Sequence, residues 1–263
     1  MARGGYRFLK YHEASILSRE DSLKRVSTNC ERDSYKGFIR FGDGEYQLMN
    51  GLSIGFQHAS KSLSTDLKCA LHNEMGLDID IAIDAPSYAE IQNMGFYKKV
   101  SFLPWSYFFV NESDSGRQYL YTGFTVPYFL DKRKDNYDKD KVSAYIEDFI
   151  RLFAGKKVTL FIGEGIYKKI KYLPFQNSTN VVIEQCPSSD SYSEIDSILQ
   201  RARKYPKDRL LCFVIGPASK VVSYKLMGEG YRCFDLGHFI KDYDMFKKMT
   251  EKSEIFLLRI LNR

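Results

Sequence analysis

Two carboxylates separated by a single residue, Asp43 and Glu45, directly follow a short apolar run, Phe38-Ile39-Arg40-Phe41. Glycine stands on both sides of Asp43, so the backbone can turn sharply there and approach a ligand closely. Carboxylate oxygens suit hard divalent cations, and a cation held in this way commonly bridges phosphate oxygens. The string from Arg40 to Glu45 therefore predicts a loop that holds a metal ion and a phosphate group, although an isolated pair of this kind is more often a solvated turn.

A second string with chemical potential is Asp235-Leu236-Gly237-His238, which follows the apolar pair Cys233-Phe234. An aspartate and a histidine three residues apart around a glycine can reach one metal ion or one substrate. A lone histidine is more often structural or solvent-exposed than catalytic. Of the four histidines in the chain, His238 has the best setting, so we predict it as a catalytic residue and, with Asp235, as a further metal ligand.

The other strand-like runs also end in glycine or polar residues. These ends are Asp84 to Ser87, Gly163-Glu164-Gly165, Glu184 to Asp190 and Gly216 to Ser219. In open parallel sheets, ligands bind outside the carboxyl ends of the strands, where helix N-termini offer free N–H groups to phosphate. We therefore expect one edge of the sheet to gather a single cleft lined by Asp43, Glu45, Gly163, Asp190, Gly216 and His238.

Each of these clusters is weak evidence when it is taken alone. Gly163-Glu164-Gly165 lacks the third glycine of the dinucleotide fingerprint, because Lys168 stands in its place. A standard NAD site is therefore not expected, whereas a methyltransferase or a plain tight turn also fits. Gly216-Pro217 is more often the start of a helix than a phosphate-binding turn.

The pattern of apolar residues predicts an α/β fold with a Rossmann-like, mainly parallel sheet flanked by helices. The candidate strands are Phe38 to Phe41, Ile79 to Ile83, Val158 to Ile162, Val181 to Ile183 and Leu210 to Ile215. The candidate helices are Ser64 to Met75, Val142 to Phe153, a helix opened by a Ser191/Glu194 capping box, one from Pro217 through Leu226, and Tyr243 to Leu261.

Length and composition favour one domain over residues 1–263. Residues near 131–141 are dense in charge and are expected to form an exposed connection. The segment from Tyr88 to Leu130 is rich in aromatic residues and suits a substrate lid.

The net charge of +6 is spread along the chain, so no nucleic-acid partner is expected. No apolar run approaches the roughly 20 residues of a membrane-spanning helix. No leader is recognisable, and five dispersed cysteines suggest free thiols, so we expect a cytoplasmic protein.

Taken in order, these motifs resemble the GT-D type of bacterial glycosyltransferase, whose first members modify serine-rich repeat adhesins. The resemblance rests on Arg40 to Glu45, Gly51 to Gln57, Phe161 to Gly165, Pro187 to Tyr192 and then, nearer the end of the chain, Ile215-Gly216-Pro217, Gly230-Tyr231 and Asp235 to His238. It covers roughly residues 36–246. The separate motifs are short, but their order is specific.

The resemblance implies a Rossmann-like fold, a UDP-sugar donor and a divalent metal, Mn²⁺ or Mg²⁺, with Asp43-Gly44-Glu45 at the metal and diphosphate. The acceptor would be a hydroxyl of a glycan, glycoprotein or glycolipid, and the oligomeric state stays open. With the motifs, it gives a donor-binding set of Arg40, Gly42, Gly44, Gly163, Glu164, Gly165, Ser188, Ser189, Asp190, Ser191, Gly216 and Pro217.

One departure from the family pattern concerns the donor or acceptor contact. Members carry an arginine in the segment that matches Phe124 to Tyr128, and Val126 stands in that place here. We expect this contact to be absent, or to be supplied by Arg117 or Lys132.

Several alternatives remain open at the level of the sequence. Glu45 fits either a metal ligand or the base that deprotonates an acceptor hydroxyl. Arg40 fits either a diphosphate contact or a structural salt bridge. The chain as a whole also fits a non-catalytic subunit that binds a nucleotide sugar.

Overall fold

The computed structural model describes residues 16–83, 112, 116–125 and 139–261, and these residues build one sheet of seven parallel strands. The order across the sheet is β3-β2-β1-β7-β6-β4-β5. The strands are β1 (Gly37–Phe41), β2 (Ile79–Ile83), β3 (Leu120–Tyr121), β4 (Lys157–Gly163), β5 (Asn180–Cys186), β6 (Leu210–Val214) and β7 (Arg232–Asp235).

Helices cover both faces of the sheet. They are α1 (Arg19–Asn29), α2 (Asp43–Met49), α3 (Lys61–His72), α4 (Lys139–Arg151), α5 (Glu164–Tyr167), α6 (Ile195–Ala202), α7 (Ala218–Gly228) and α8 (Phe239–Leu261). Two short 3₁₀ helices, Thr122–Thr125 and Ser191–Glu194, complete the described elements. No helix in the described part of the chain combines the length and the apolar character needed to cross a bilayer.

Alternation along the strands produces two apolar layers. In β1, Ile39 and Phe41 pack with α3, α6 and α7, whereas Phe38 packs on the opposite face with α1, α4 and α8. Successive side chains of a strand point to opposite faces, so a strand buried on both sides must be apolar throughout. This explains the continuous apolar run in β6, and the seven parallel strands confirm the predicted parallel α/β sheet.

Two strands were not predicted from the sequence. β7 lies near the middle of the sheet, between β1 and β6, but it has only four residues and begins with a polar one. β3 has two residues and extends the edge beside β2. β3 lies in the segment that was expected to form a substrate lid. The part of that segment from Leu120 to Thr125 forms the edge of the sheet and a 3₁₀ helix, and it is not a lid.

The structure also corrects several details of the elements predicted from the sequence. β5 is an edge strand with a half-exposed surface, and it is not covered on both faces. The Ser191/Glu194 capping box is wrong, because Ser191 Oγ donates to Pro187 O at 2.9 Å and the α-helix begins only at Ile195. The strands on both sides of the charged connection join one sheet, and α4 already begins at Lys139. Asp84 to Ser87, most of the lid segment including Val126, and Lys132 lie outside the described residues.

Gly37 opens β1 in a conformation that disfavours any other residue. Its φ is +119°, and a Cβ atom there would lie 1.9 Å from Cys233 O on β7. We expect Gly37→Ala to lower the free energy of unfolding by about 2–4 kcal/mol, because backbone strain and a backbone clash act together. The measurement is urea denaturation. Gly55→Ala is the control, since no atom lies within 4 Å of its added Cβ, and equal losses in both variants would contradict this account.

Candidate active site

The carboxyl ends of β1, β4, β5, β6 and β7 surround one cavity of about 810 Å³, a size typical of small-molecule sites. It lies where the strand order reverses, with β1 to β3 on one side of β7 and β4 to β6 on the other. This is the crevice at which open α/β sheets bind ligands. Of the residues predicted from the sequence, the cavity is lined by Arg40, Gly42, Asp43, Gly44, Glu45, Gly163, Ser188, Ser191, Gly216, Pro217 and His238.

Asp43 and Glu45 form the first turn of α2, which corrects the expectation that both lie on a loop. Asp43 is exposed to the cavity, and its Oδ1 accepts the Gly44 N–H at 2.9 Å. Glu45 is buried, and its Oε2 accepts the Gly42 N–H at 2.8 Å, which caps the helix. The two carboxylates therefore differ in function, because one is available to a ligand and the other is bound to the protein.

Lys220, which sequence reasoning missed, is the partner of Glu45. It lies in the first turn of α7, is 5% exposed, and places Nζ 3.0 Å from Glu45 Oε1 and 3.2 Å from Asp235 Oδ2. Burial alone would lower the pKa of Lys220, but the carboxylates of Asp235 and Glu45 outweigh burial and hold the pKa above its usual value. The ammonium group therefore stays charged. The signal in the sequence was its position three residues after Pro217, on a helix that begins at the cavity.

Asp235 lies beneath the cavity and does not line it. Its side chain is fully buried, and its Oδ2 also accepts the Arg40 backbone N–H at 3.2 Å. Its Oδ1 has no hydrogen-bond partner within the described residues. The carboxylate predicted as a metal ligand is thus occupied by Lys220 and by the backbone of β1.

Arg40 is held against the cavity wall by neutral groups. Its Nη1 donates to Thr122 O at 2.9 Å and to Thr125 Oγ1. Gly237 makes this possible, because its φ is +51° and a Cβ there would lie 1.5 Å from Arg40 Nη2. Arg40 makes no side-chain salt bridge within the described residues, so its charge faces the cavity and the groups around it.

His238 lies at the rim of the same cavity, one residue before α8. The residue is exposed at the rim, but partial desolvation of its imidazole in the cleft lowers its pKa to about 4, and the nearby cations of Arg40, Lys241 and Lys220 add to this effect. It is therefore neutral at physiological pH. A neutral imidazole can accept a hydrogen bond or bind a metal ion, but with a pKa near 4 it is a weak base.

Five other predicted residues do not line the cavity. Glu164 forms an ion pair with Lys168, and the Gly165 N–H donates to Ser188 Oγ at 2.7 Å. The Asp190 carboxylate accepts hydrogen bonds from Gln57 and His58, while its N–H donates to Phe56 O at 2.7 Å. Asp190 therefore fixes the loop from Gly51 to His58 over the cavity. Ser189 is exposed, and Asp235 is buried as described above.

The fixed loop brings an aromatic ring to the cavity. Phe56 is 51% exposed, and a Cβ atom added to Gly216 would lie 3.1 Å from its Cε2. Gly216, with φ +64°, lets the ring approach the end of β6. Sequence reasoning missed Phe56, and its position next to the glycines of that loop was the available signal.

Arg117 does not replace the missing family arginine at this cavity. Its Nη2 donates to Ile79 O at 2.9 Å. Ile79 is the first residue of β2, so Arg117 reaches the amino edge of the sheet, opposite the cavity.

Asp242, a carboxyl group close enough to Arg40 to be affected by its charge, is a third residue that sequence reasoning missed. It lies in the first turn of α8, is 7% exposed, and its Oδ2 has no hydrogen-bond partner within the described residues. Burial raises its pKa to about 7, against the opposing effects of Arg40 and Lys241. The group is therefore half protonated near neutral pH.

The fold and the cavity define an α/β protein with a ligand site at the topological switch point. A model of the glycosyltransferase GT-D fold matches residues 38–258. The chain therefore belongs to the GT-D glycosyltransferase family, as the order of its motifs predicted.

Two curated relatives are streptococcal. The chain is 27% identical over 250 residues to a probable glycosyl transferase Gly of Streptococcus gordonii, and 25% identical over 229 residues to the glycosyltransferase GlyD of Streptococcus pneumoniae serotype 4. These alignments cover 89% and 82% of this chain. The chain spans only 33% and 26% of the length of those relatives.

Solved structures agree with the fold. A domain of unknown function 1792, described as having a distinct glycosyltransferase fold, is similar with a TM-score of 0.77 at 26% identity, over 93% of this chain and 86% of that one. A structure described as a new glycosyltransferase from Streptococcus sanguinis is similar in fold, with a TM-score of 0.70 at 24% identity, over 89% of this chain and 85% of that one.

The buried cluster of Lys220, Glu45 and Asp235 leads to a prediction about stability. Lys220→Met leaves Glu45 and Asp235 buried without their cation, so it should lower the free energy of unfolding by about 3–5 kcal/mol. The double variant Lys220→Met/Asp235→Asn should lose about 1–3 kcal/mol less than the sum of the two single variants, because it removes a charge left unpaired. Urea denaturation of all four proteins measures this coupling. Additive losses would show that the three groups do not act as one cluster.

Asp242 generates a prediction about pH. The pKa of Asp242 is 3.8 in the unfolded chain and about 7 in the folded one. Between pH 4 and pH 7 the unfolded state therefore gives up its proton more readily than the folded state, so the free energy of unfolding falls as pH rises. Asp242→Asn removes this penalty. Its melting temperature should exceed that of the wild type at pH 8 by on the order of 5 °C and match it near pH 4. A constant difference across the pH range would contradict the burial argument.

Proposed function

We propose that this chain is a metal-dependent glycosyltransferase that transfers a sugar from a UDP-sugar to a hydroxyl of a glycan, glycoprotein or glycolipid acceptor. The observation that carries this proposal is the cavity at the carboxyl edge. It combines one available carboxylate, one neutral imidazole and the cationic side chains of Arg40 and Lys241. Membership of the GT-D family supports the reaction class.

The donor atoms at this cavity fit a divalent cation through Asp43. Its carboxylate is exposed at the cavity, and His238 lies on the same cavity with a neutral ring. Mg²⁺ and ions like it are commonly bound by one or two carboxylates together with substrate phosphates and water. No three acidic, histidine or cysteine side chains converge as a ready-made metal site within the described residues, so the diphosphate would supply further ligands.

In this proposal Glu45 and Asp235 have a positioning function. Their oxygens already bind Lys220 and backbone N–H groups, so they hold α2 and α7 in place. This favours Asp43 over Glu45 as the metal ligand.

The cations of the cavity suit a diphosphate. Arg40, Lys220 and Lys241 line it, and α7 begins at its wall with the positive end of its dipole. A metal ion held at Asp43 would neutralise the charge that develops on the departing UDP. Arg40 adds fixed positive charge that needs no reorganisation during the reaction, whereas the charge of Lys220 is already compensated by Glu45 and Asp235.

Phe56 is the group that we assign to the nucleoside or the sugar. Its exposed ring lies at the cavity beside Gly216, where a uracil base or a sugar face can pack against it. Stacking of a base on an aromatic side chain contributes about 1–3 kcal/mol.

The test is release of UDP from a panel of UDP-glucose, UDP-galactose and UDP-N-acetylglucosamine with Mn²⁺, with and without candidate acceptors. Asp43→Asn should lower turnover at least about 100-fold, the equivalent of roughly 2.7 kcal/mol in the barrier, because it removes the metal-binding carboxylate. Asp148→Asn is the matched control, since this exposed carboxylate on α4 pairs with Arg151 and does not line the cavity.

Three outcomes would change the proposal. Full turnover in excess chelator would contradict the dependence on metal. Unchanged turnover in Asp43→Asn would contradict the assignment of this residue. If a UDP-sugar raises the melting temperature but no UDP is released under any condition, the chain is a non-catalytic nucleotide-sugar binding subunit.

A further inference from the structure

A second cavity lies at the opposite edge of the sheet. Its volume is about 700 Å³, and its lining includes the first residues of β4, β6 and β7. β4 links the two cavities, since Lys157 at its start lines one and Gly163 at its end lines the other. At about 3.3 Å per residue, the strand separates them by roughly 20 Å. The second cavity is therefore distinct from the candidate active site.

Basic side chains dominate this cavity. Its lining contains the carboxylates of Asp33 and Asp208 against six cations, which are Lys36, Lys156, Lys157, Lys207, Arg209 and Arg232. Lys157 Nζ lies 2.9 Å from Asp208 Oδ2 and neutralises that carboxylate. None of the other five cations forms an ion pair with a carboxylate in the part of the chain that the structure describes. The cavity thus carries an excess of positive charge.

Both arginines are fixed in place by neutral acceptors. Arg209 is 8% exposed, and it donates to Thr159 Oγ1 at 2.9 Å and to Val158 O at 2.7 Å. Arg232 donates to three backbone carbonyls, those of Tyr35, Cys30 and Arg32, at 2.8 to 3.1 Å. These neutral acceptors hold the guanidinium groups rigidly without neutralising them. Arg209 also interacts electrostatically with Asp208, a carboxylate already paired with Lys157. A partly buried charge without a counter-ion is costly, so an anion in this cavity would be stabilised.

The lysines add charge that is free to meet a ligand. Lys36 Nζ donates to the Asp33 carbonyl oxygen at 3.3 Å, and Lys207 Nζ donates to the Glu229 carbonyl oxygen. Lys156 lies close enough to the thiol of Cys30 to affect its pKa. Burial raises the pKa of Cys30 to about 11, and Lys156 and Arg232 oppose that rise.

We propose that this basic cavity, formed at the amino edge around Lys36, Lys156, Lys207, Arg209 and Arg232, binds a small anion that carries two or more phosphate groups. Several cations at separate points of a cavity of this volume match a ligand with several negative charges. Arginine forks and lysine ammonium groups are the usual partners of phosphate oxygens. The assignment does not depend on the transferase activity.

The experiment is a titration of the 263-residue chain with inorganic pyrophosphate in EDTA, followed by calorimetry and by backbone amide shifts. EDTA removes divalent metal from the active site. Saturable binding with shifts at Gly155 and Gly230, which line the basic cavity, is the expected result. Citrate, a polycarboxylate with three negative charges, is the matched ligand and should bind at least fivefold more weakly.

The variant Lys36→Gln/Lys156→Gln should weaken pyrophosphate binding at least tenfold, since it removes two cations that have no carboxylate partner. The control Lys61→Gln/Lys68→Gln changes the net charge equally on the exposed face of α3 and should bind like the wild type. Arg209 and Arg232 are left intact because both hold the fold.

The proposal is overturned if pyrophosphate does not bind saturably, or if the shifts appear only at Gly42 and Gly216 of the active site. It is also overturned if both double variants lose the same affinity, because net charge alone would then explain binding. If citrate binds as tightly as pyrophosphate, the cavity does not select for phosphate groups, and the proposed ligand class is wrong.

Discussion

The buried ammonium group of Lys220 is the interaction on which the geometry of the active site depends. It joins Glu45, which follows β1, to Asp235, which ends β7, and it lies on the helix that follows β6. Three neighbouring strands are thus connected at their carboxyl ends by one cation. Two buried carboxylates around one lysine are stable only in good geometry, because without the lysine both charges are buried and uncompensated. This constraint fixes where α2 begins, and with it the position of Asp43.

The same constraint separates two carboxylates that look equivalent in the sequence. Asp43 and Glu45 are two residues apart, which on a helix places them about 200° apart around the axis. One must therefore face the cavity when the other faces the protein. Glu45 is buried against Lys220 and Gly42, so Asp43 is exposed to the ligand. A loop would have allowed both to converge on a metal ion, whereas a helical turn does not.

The sheet and the location of the site could be predicted from the sequence because both follow from local patterns. Continuous apolar runs mark buried parallel strands, and the glycine and polar residues after them mark the carboxyl edge. β7 could not be found in this way, because only its two middle residues, Cys233 and Phe234, are apolar. Lys220 and Asp242 were missed as well, because their significance comes from burial and from charges distant in sequence, which the position of Lys220 after Pro217 does not show. A lysine in a helix is normally solvated, and only the folded structure places this one between two carboxylates.

The glycine in Asp235-Leu236-Gly237-His238 shows how one motif serves several groups at once. Asp235 accepts the β1 backbone N–H and pairs with Lys220, while Gly237 leaves room for the Arg40 guanidinium. His238 then projects to the rim beside that cation, and the cations nearby help to keep its ring neutral. A side chain at position 237 would displace Arg40, which would in turn remove part of the charge that keeps His238 unprotonated. The motif is therefore less a set of ligands than a support that places one cation and one neutral imidazole on the same wall of the cavity.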